Sequence, residues 1–278
     1  MISVLKCLAI AALALGASSC APRADPPGGG ASVVAAFYPI ADAARSIGGD
    51  RIRVADLTPP GVEPHDLELS TKALDLVLDA DLVLYFEGFQ PALDAAVADA
   101  RGQIVDLSEG LRLRRGDPHV WLDPRLWARV VERIEGAIAR VAVDATDGRR
   151  YVEGLQALDE AFEEGLASCR RDLIVTAHGA FGYLADRYGL RQESISGLGP
   201  EAEPDPRRLA DLADLVRAEN VTTVFTEELV SPKIAQALAK EAGVTTDVLD
   251  PLESEPDGGY TGAMRRNLRK LREALGCR

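Results

Sequence analysis

From residue 32 onward the chain alternates short apolar runs with longer amphipathic stretches. "SVVAAFYPI", residues 32–40, reads as a strand, and "ADAARSIGG" as the helix after it, stopped by glycine. "RIRVADL" predicts a second strand, "STKALDLVLDA" a helix opened by a serine cap, and "DLVLYF" a buried strand. "PALDAAVADARG" and "QIVDL" add one more helix and strand. Strands separated by amphipathic helices pair in parallel, because each crossover must pass over the face of the sheet. Residues 32–142 therefore read as an N-terminal α/β lobe.

The alternation breaks at Pro124. From there to about Leu166 apolar residues recur at helical spacing, with a pause near "VDATDGRR". Residues 143–169 of this stretch are expected to form a linking helix. Strands and helices then resume: "DLIVTAH", "GAFGYLADRYG", "ESISGLG", "DPRRLADLADLVRAEN", "VTTVFTEE", "SPKIAQALAKEAG" and "VTTDVLDPL", closed by a helix from Thr261 to Leu275. Residues 170–278 form a C-terminal α/β lobe on this reading. The predicted fold class is α/β, two parallel-sheet lobes joined by a long helical spine. No tandem repeat of solenoid period interrupts it.

Composition narrows the function classes. With 278 residues, 47% apolar and 27% charged, the chain is globular rather than disordered. Its formal charge of −13 leaves no basic stripe for phosphates, which argues against a nucleic-acid partner. The start is different material: "MISVLKCLAIAALALGASSC" has one lysine, a short apolar run and small residues ending at Cys20. That is the layout of a secretory signal over residues 1–19, too short to span a bilayer. Small residues before a cysteine resemble a bacterial lipobox, with Cys20 as the acylated first residue, although Ala17 stands where that motif usually has leucine. Residues 20–31 then read as a lipidated cysteine followed by a Pro/Gly-rich tether. The expected location is extracytoplasmic, periplasmic or at the cell surface, anchored to the membrane. In that oxidising setting the remaining pair, Cys169 and Cys277, is expected to form one disulfide.

The chain has three histidines. His65 lies in "GVEPHDLELS", His119 in "DPHVWLDP" and His178 at the end of "DLIVTAH", each in a loop or at a strand end. Ligands of open α/β sheets bind beyond the carboxyl ends of strands, so all three are placed to line one cleft between the lobes. Imidazoles with a carboxylate suit tetrahedral zinc. Two strand ends offer that carboxylate: Asp250, which ends "VTTDVLD", and Glu227 with Glu228 after "VTTVFT". Position alone does not separate them.

"GVEPHDLELST", "ADLVLYF", "DPHVWLDP", "VTAHGAFGYLADRYGL", "VFTEELVSPKIAQALAKEAG", "VLDPL" and "YTGAMRRNLRKL" resemble, in order, the blocks of the metal-binding lipoproteins of ABC importers, the cluster A-I family that delivers zinc or manganese. The resemblance runs from about residue 33 to the C-terminus. It implies two α/β lobes joined by a long rigid helix, with the metal in the cleft. It also implies metal ligands His65, His119, His178 and Asp250, with Glu228 and Asp66 as candidates to orient them. Its further implications are a membrane permease of the ABC type as partner, a metal ion as cargo, and a monomer.

Three nitrogens and one carboxylate favour zinc, whereas manganese-preferring relatives look to carry a carboxylate at the position of His178. The His-rich loop common in zinc-specific members is missing, since residues 87–118 hold no histidine, and manganese or iron remains the alternative cargo. A zinc-dependent hydrolase is the alternative of a different class. Against it stand the absence of an "HExxH" helix and a ligand set that closes the coordination shell. The expectation is a binding protein and not an enzyme, whose cargo is released by acid as protons compete for its ligands.

Overall fold

The computed structural model describes residues 30–114, 116–142, 148–200, 202 and 204–278. The expected signal, the acylated Cys20 and nearly all of the tether lie outside the described residues. In the first lobe the strands are β1 (Ala31–Ala35), β2 (Ile52–Asp56), β3 (Leu82–Tyr85) and β4 (Gln103–Asp106). They form one parallel sheet in the order β2-β1-β3-β4, with Val33 opposite both Val54 and Leu82, and Leu84 opposite Val105. Helices α1 (Tyr38–Gly48), α2 (Thr71–Asp79) and α3 (Pro91–Val97) make the crossovers. The Ser70 hydroxyl caps α2 by accepting from Ala73 N at 3.2 Å.

One expected strand is shorter than its apolar run. "SVVAAFYPI" divides after Ala35, and α1 takes Tyr38, Pro39 and Ile40 into its first turn. Proline has no N–H to give a sheet but fits the first turn of a helix, whose leading N–H groups lack partners anyway. The helical stretch after Pro124 is two elements, α4 (Pro124–Val141) and α5 (Gly148–Leu166), packed on each other. Asp123 caps α4 by accepting from Arg125 N at 2.8 Å and Leu126 N at 3.2 Å. α5 is the part of the expected linking segment, 143–169, that connects one sheet to the other.

The second lobe repeats the first. Strands β5 (Leu173–Thr176), β6 (Arg191–Ser194), β7 (Thr223–Thr226) and β8 (Thr245–Val248) pair in parallel in the order β6-β5-β7-β8. The corresponding crossovers are α6 (Gly182–Tyr188), α7 (Pro206–Ala218) and α8 (Lys233–Ala242), and α9 (Gly259–Leu275) packs back on α5. Gly189 and Gly243, at φ +69° and +76°, end α6 and α8 in the left-handed conformation that lacks a Cβ penalty only for glycine. "ESISGLG" is strand only as far as Ser194 and loop beyond it.

One apolar core runs from the first sheet through Trp127 of α4 and Phe162 of α5 into Phe181, Leu184 and the buried face of α9. A smaller core lies between the second sheet and α7 and α8, around Val175, Leu212, Val224 and Leu238. Cys169 and Cys277 are joined by a disulfide across 108 residues, tying the chain just past α5 to the chain just past α9. No helix among the described residues is long and apolar enough to cross a membrane.

Candidate metal centre

The loops that leave the carboxyl ends of the strands converge between the two sheets. His65 rides a single helical turn, Pro64–Asp66, in the loop after β2, and Glu63 Oε1 accepts from its backbone N at 3.3 Å. His119 lies between β4 and α4. Asp117 Oδ1 accepts from its backbone N at 3.0 Å and meets its Nδ1 at 2.8 Å. His178 follows β5 by two residues, where Glu227 accepts from its backbone N at 3.0 Å and meets its Nδ1 at 2.5 Å. Thr176 Oγ1 and Gln192 Nε2 both donate to the His178 carbonyl, at 2.6 and 3.1 Å. Trp121 packs 5.0 Å from the His119 ring, and Phe89 meets His65 edge-on at 4.7 Å.

His119 and His178 turn Nδ1 to a carboxylate, which leaves Nε2, the nitrogen a metal would take, pointing inward. What they meet is one another and Glu253. Nε2 of His65 lies 3.3 Å from Nε2 of His119, which is 3.3 Å from Nε2 of His178. Glu253 Oε1 is 3.2 Å from His65, 3.2 Å from His119 and 3.5 Å from His178. These are five of the six edges of a tetrahedron. The centre of a regular tetrahedron lies about 0.61 of an edge from each corner, which here is about 2.0–2.1 Å, the length of zinc–nitrogen and zinc–carboxylate bonds. His65, His119, His178 and Glu253 are the group of described residues whose ligand atoms all lie within 4.8 Å of one another.

The three histidines anticipated from the sequence are thus brought together, and the fourth corner is occupied by Glu253 in place of Asp250. Asp250 is spent elsewhere: its Oδ1 accepts from Leu252 N at 2.7 Å, and burial pushes its carboxyl up to about 6. The orienting carboxylates also differ from the expected Asp66 and Glu228. Both of those are exposed, and Asp117 and Glu227, buried behind His119 and His178, do that work. Asp117 stood in plain view in "DPHVWLDP", two residues before the histidine, the spacing at which an Asp side chain reaches a backbone N–H. Glu253 had no comparable signal, since it sits five residues beyond β8 among other acids.

The electrostatics call for a cation. Burial alone would raise the Glu253 carboxyl, but hydrogen bonds from His119, His178 and His65 outweigh it and hold the group well below the usual range. Its second oxygen, Oε2, is buried without a hydrogen-bond partner among the described residues. Burial lowers the His178 imidazole, yet its bonds to Glu227 and Glu253 push it up to about 10. His119 is raised in the same way by Asp117 and Glu253. Burial and the charge of Glu253 push Glu63 upward, to about 8. Three side chains of the tetrahedron have at most 1% of their surface exposed, and His65, at 15%, faces solvent. It opens on a cavity of about 390 Å³ lined by Glu87, Phe89, Leu113, Arg114 and Leu198.

Comparison with known proteins agrees with this geometry. Residues 33–274 match the family described as zinc-uptake complex component A, periplasmic (ZnuA). The zinc-binding lipoprotein AdcA of Streptococcus pneumoniae is 35% identical, over 95% of this chain and 59% of its own length. This chain therefore spans little more than half of that relative. The high-affinity zinc uptake system protein ZnuA of Bacillus subtilis is 33% identical, over 94% of this chain and 93% of its own. Among solved structures, the laminin-binding protein Lmb of Streptococcus agalactiae, described as having adhesin and metal transporting activity, superposes with a TM-score of 0.80 at 32% identity, covering 88% of this chain and all of that one. Zn(II)-bound AdcA of S. pneumoniae gives 0.77 at 34% identity, covering 89% and 58%. With a family match across both sheets and relatives aligned over nearly the whole sequence, the chain belongs to the ZnuA family of periplasmic zinc-uptake components.

Proposed function

We propose that this protein captures zinc outside the cytoplasm and delivers it to an ABC-type permease in the membrane. The observation that carries the reading is the tetrahedron of three Nε2 atoms and one carboxylate oxygen, five of whose six edges are 3.2–3.5 Å. That size and donor set match zinc; manganese and magnesium prefer oxygen ligands and octahedral shells. Four protein ligands fill the shell and leave no corner for an activated water, so the chain acts as a binding protein and not as a hydrolase. His65, the exposed corner, is where the ion enters and leaves. The permease as partner is supported by the family's place in an uptake complex, and the zinc by what the named relatives bind. Anchoring through Cys20 is part of the same proposal.

The test is calorimetric titration of the chelator-stripped protein, purified without a histidine tag, with zinc and with manganese. His119→Ala, His178→Ala and Glu253→Gln are titrated alongside. One zinc per chain, bound more tightly than manganese and lost or severely weakened in the histidine variants, is the expected result. Zinc binding that survives both histidine substitutions unchanged would overturn the reading.

A further inference from the structure

Glu253 reaches its corner from a backbone that a side chain ordinarily avoids. Leu252, just before it, is fully buried and has φ +59°, where Cβ crowds the neighbouring carbonyl. Asn220 is the other non-glycine residue at positive φ among those described, and asparagine tolerates that region. The segment around Leu252 is clamped on every side. Asp250 Oδ1 accepts from Leu252 N at 2.7 Å. Asn267 of α9, itself buried, accepts from Asp250 N at 3.0 Å and donates to Asp250 O at 2.7 Å. Trp121 Nε1 donates to Pro251 O at 2.7 Å, and Gly61 N donates to Ser254 Oγ at 3.2 Å.

We propose that Asp250 is a positioning residue for the metal site: its side chain holds Leu252 left-handed and thereby aims the Glu253 carboxylate at the three histidines. The inference rests on the zinc reading above and says what keeps that site four-coordinate. An aspartate that accepts from the N–H two residues on closes a small turn and makes the left-handed residue affordable within it. Without the acceptor, Leu252 N is a buried donor with no partner, and the residue relaxes toward ordinary φ. That rotation carries the Cα–Cβ bond of residue 253 away from His65, His119 and His178. Water then takes the fourth corner, and zinc is held by three protein ligands in place of four.

Two substitutions in the full chain separate orientation from charge. Asp250→Asn keeps an oxygen acceptor and removes the charge, whereas Asp250→Ala removes both. The asparagine variant is expected to bind zinc within a few-fold of the parent. The alanine variant is expected to lose about 10- to 100-fold in affinity, the usual cost of removing a residue that orients a ligand. Cobalt(II) bound to the alanine variant should also show visible bands shifted from those of the parent and sensitive to pH, because a water oxygen replaces the Glu253 carboxylate, a signature that a general loss of stability would not produce. Equal losses in the two variants would overturn the proposal, because the charge of Asp250 and not its acceptor oxygen would then matter. A metal-free crystal structure of Asp250→Ala decides the point independently of zinc. Leu252 still left-handed and Glu253 still in place would refute the positioning role, and a relaxed Leu252 with a withdrawn carboxylate would support it. Failure of the parent to bind zinc would sink the proposed function and leave that structural comparison intact.

Discussion

Zinc binding should expel protons, and the number expelled can be worked from the site. In the metal-free protein the carboxylates behind and beside the imidazoles push His178 up to about 10 and raise His119 above its ordinary value. Zinc takes the Nε2 lone pair, so an imidazole that is protonated at pH 7 must give up its proton first. For His178, about 3 pH units lie between the solution and its pKa, which costs about 4 kcal/mol, or about a thousandfold in apparent affinity. Each displaced proton should make zinc affinity rise about tenfold per pH unit. His178 supplies one such proton across neutral pH, His119 adds to it, and Glu253, already ionised, adds none. Calorimetric titration at pH 7 in buffers of different ionisation heat reads this number directly. The sign for stability follows from the same shift. A histidine whose pKa rises on folding stabilises the metal-free fold fully below its unfolded value of about 6.5 and loses that contribution as pH climbs through about 10. The metal-free protein should therefore melt progressively lower from pH 6.5 to 10, and the zinc-loaded protein should not show that trend. Zinc heats identical in every buffer would refute the reasoning, since no proton would then leave the site.

Three further outcomes follow from particular contacts. Glu227→Gln removes the charge that meets His178 Nδ1 at 2.5 Å and should weaken zinc about 10- to 100-fold in a competition titration; unchanged affinity would mean that the contact does not orient the ring. Replacing Cys169 and Cys277 by serine opens a loop of 108 residues, which loop-closure entropy values at about 5 kcal/mol, and should lower the urea midpoint while leaving one zinc per chain. An unaltered midpoint would show that the packing of α5 on α9 already supplies that constraint. Phe162→Ala empties a fully buried site stacked 5.1 Å from Tyr188 and should cost about 3–5 kcal/mol by denaturant unfolding; a loss below about 1 kcal/mol would place Phe162 outside the common core.

The fold was legible because buried parallel strands are written as short apolar runs and the helices between them as amphipathic ones. "DLVLYF" and "DLIVTAH" contain β3 and β5 with little to spare, and the parallel pairing within both sheets follows from that alternation. What the pattern does not carry is where an apolar run changes backbone state, and so "FYPI" reads as strand although its proline lies in the first turn of a helix. The histidines stood out because there are three, each just beyond a strand. The carboxylates did not stand out among 44 acidic residues. Asp250 was conspicuous for its place at a strand end, and that place suits it to shape the loop, while Glu253 depends on a left-handed Leu252 that leucine as a residue type does not advertise. A finer signal runs through the loops: Glu63, Asp117 and Asp250 each stand two residues before a backbone N–H that they accept, at His65, His119 and Leu252. An acid two positions upstream of a site residue reads as a device for fixing that residue's loop.

The ligands are divided evenly between the lobes, and this division bears on how an ion is held and given up. His65 and His119 come from loops of the first sheet, His178 and Glu253 from loops of the second. A shell shared in this way binds fully only when both sheets keep their spacing, so zinc acts as a cross-link between them. Yet the lobes are not free to swing widely. Their larger core is continuous through α5, α6 and α9, Arg187 of α6 grips Asp159 of α5 with bonds of 3.0 and 2.8 Å, and the disulfide pins α5 to α9. Opening the cleft by a broad hinge would break that core, at about 25 cal/mol for each square ångström of apolar surface exposed. The less costly motion is confined to the loop of His65, the one ligand that reaches solvent, anchored by Gln90 Nε2 donating to Pro64 O at 3.0 Å and by the Glu63 contact to its own backbone. With the other three ligands buried, a lift of that loop would open a single coordination position and leave three ligands in place. This arrangement suits a carrier that must bind tightly and still surrender its cargo.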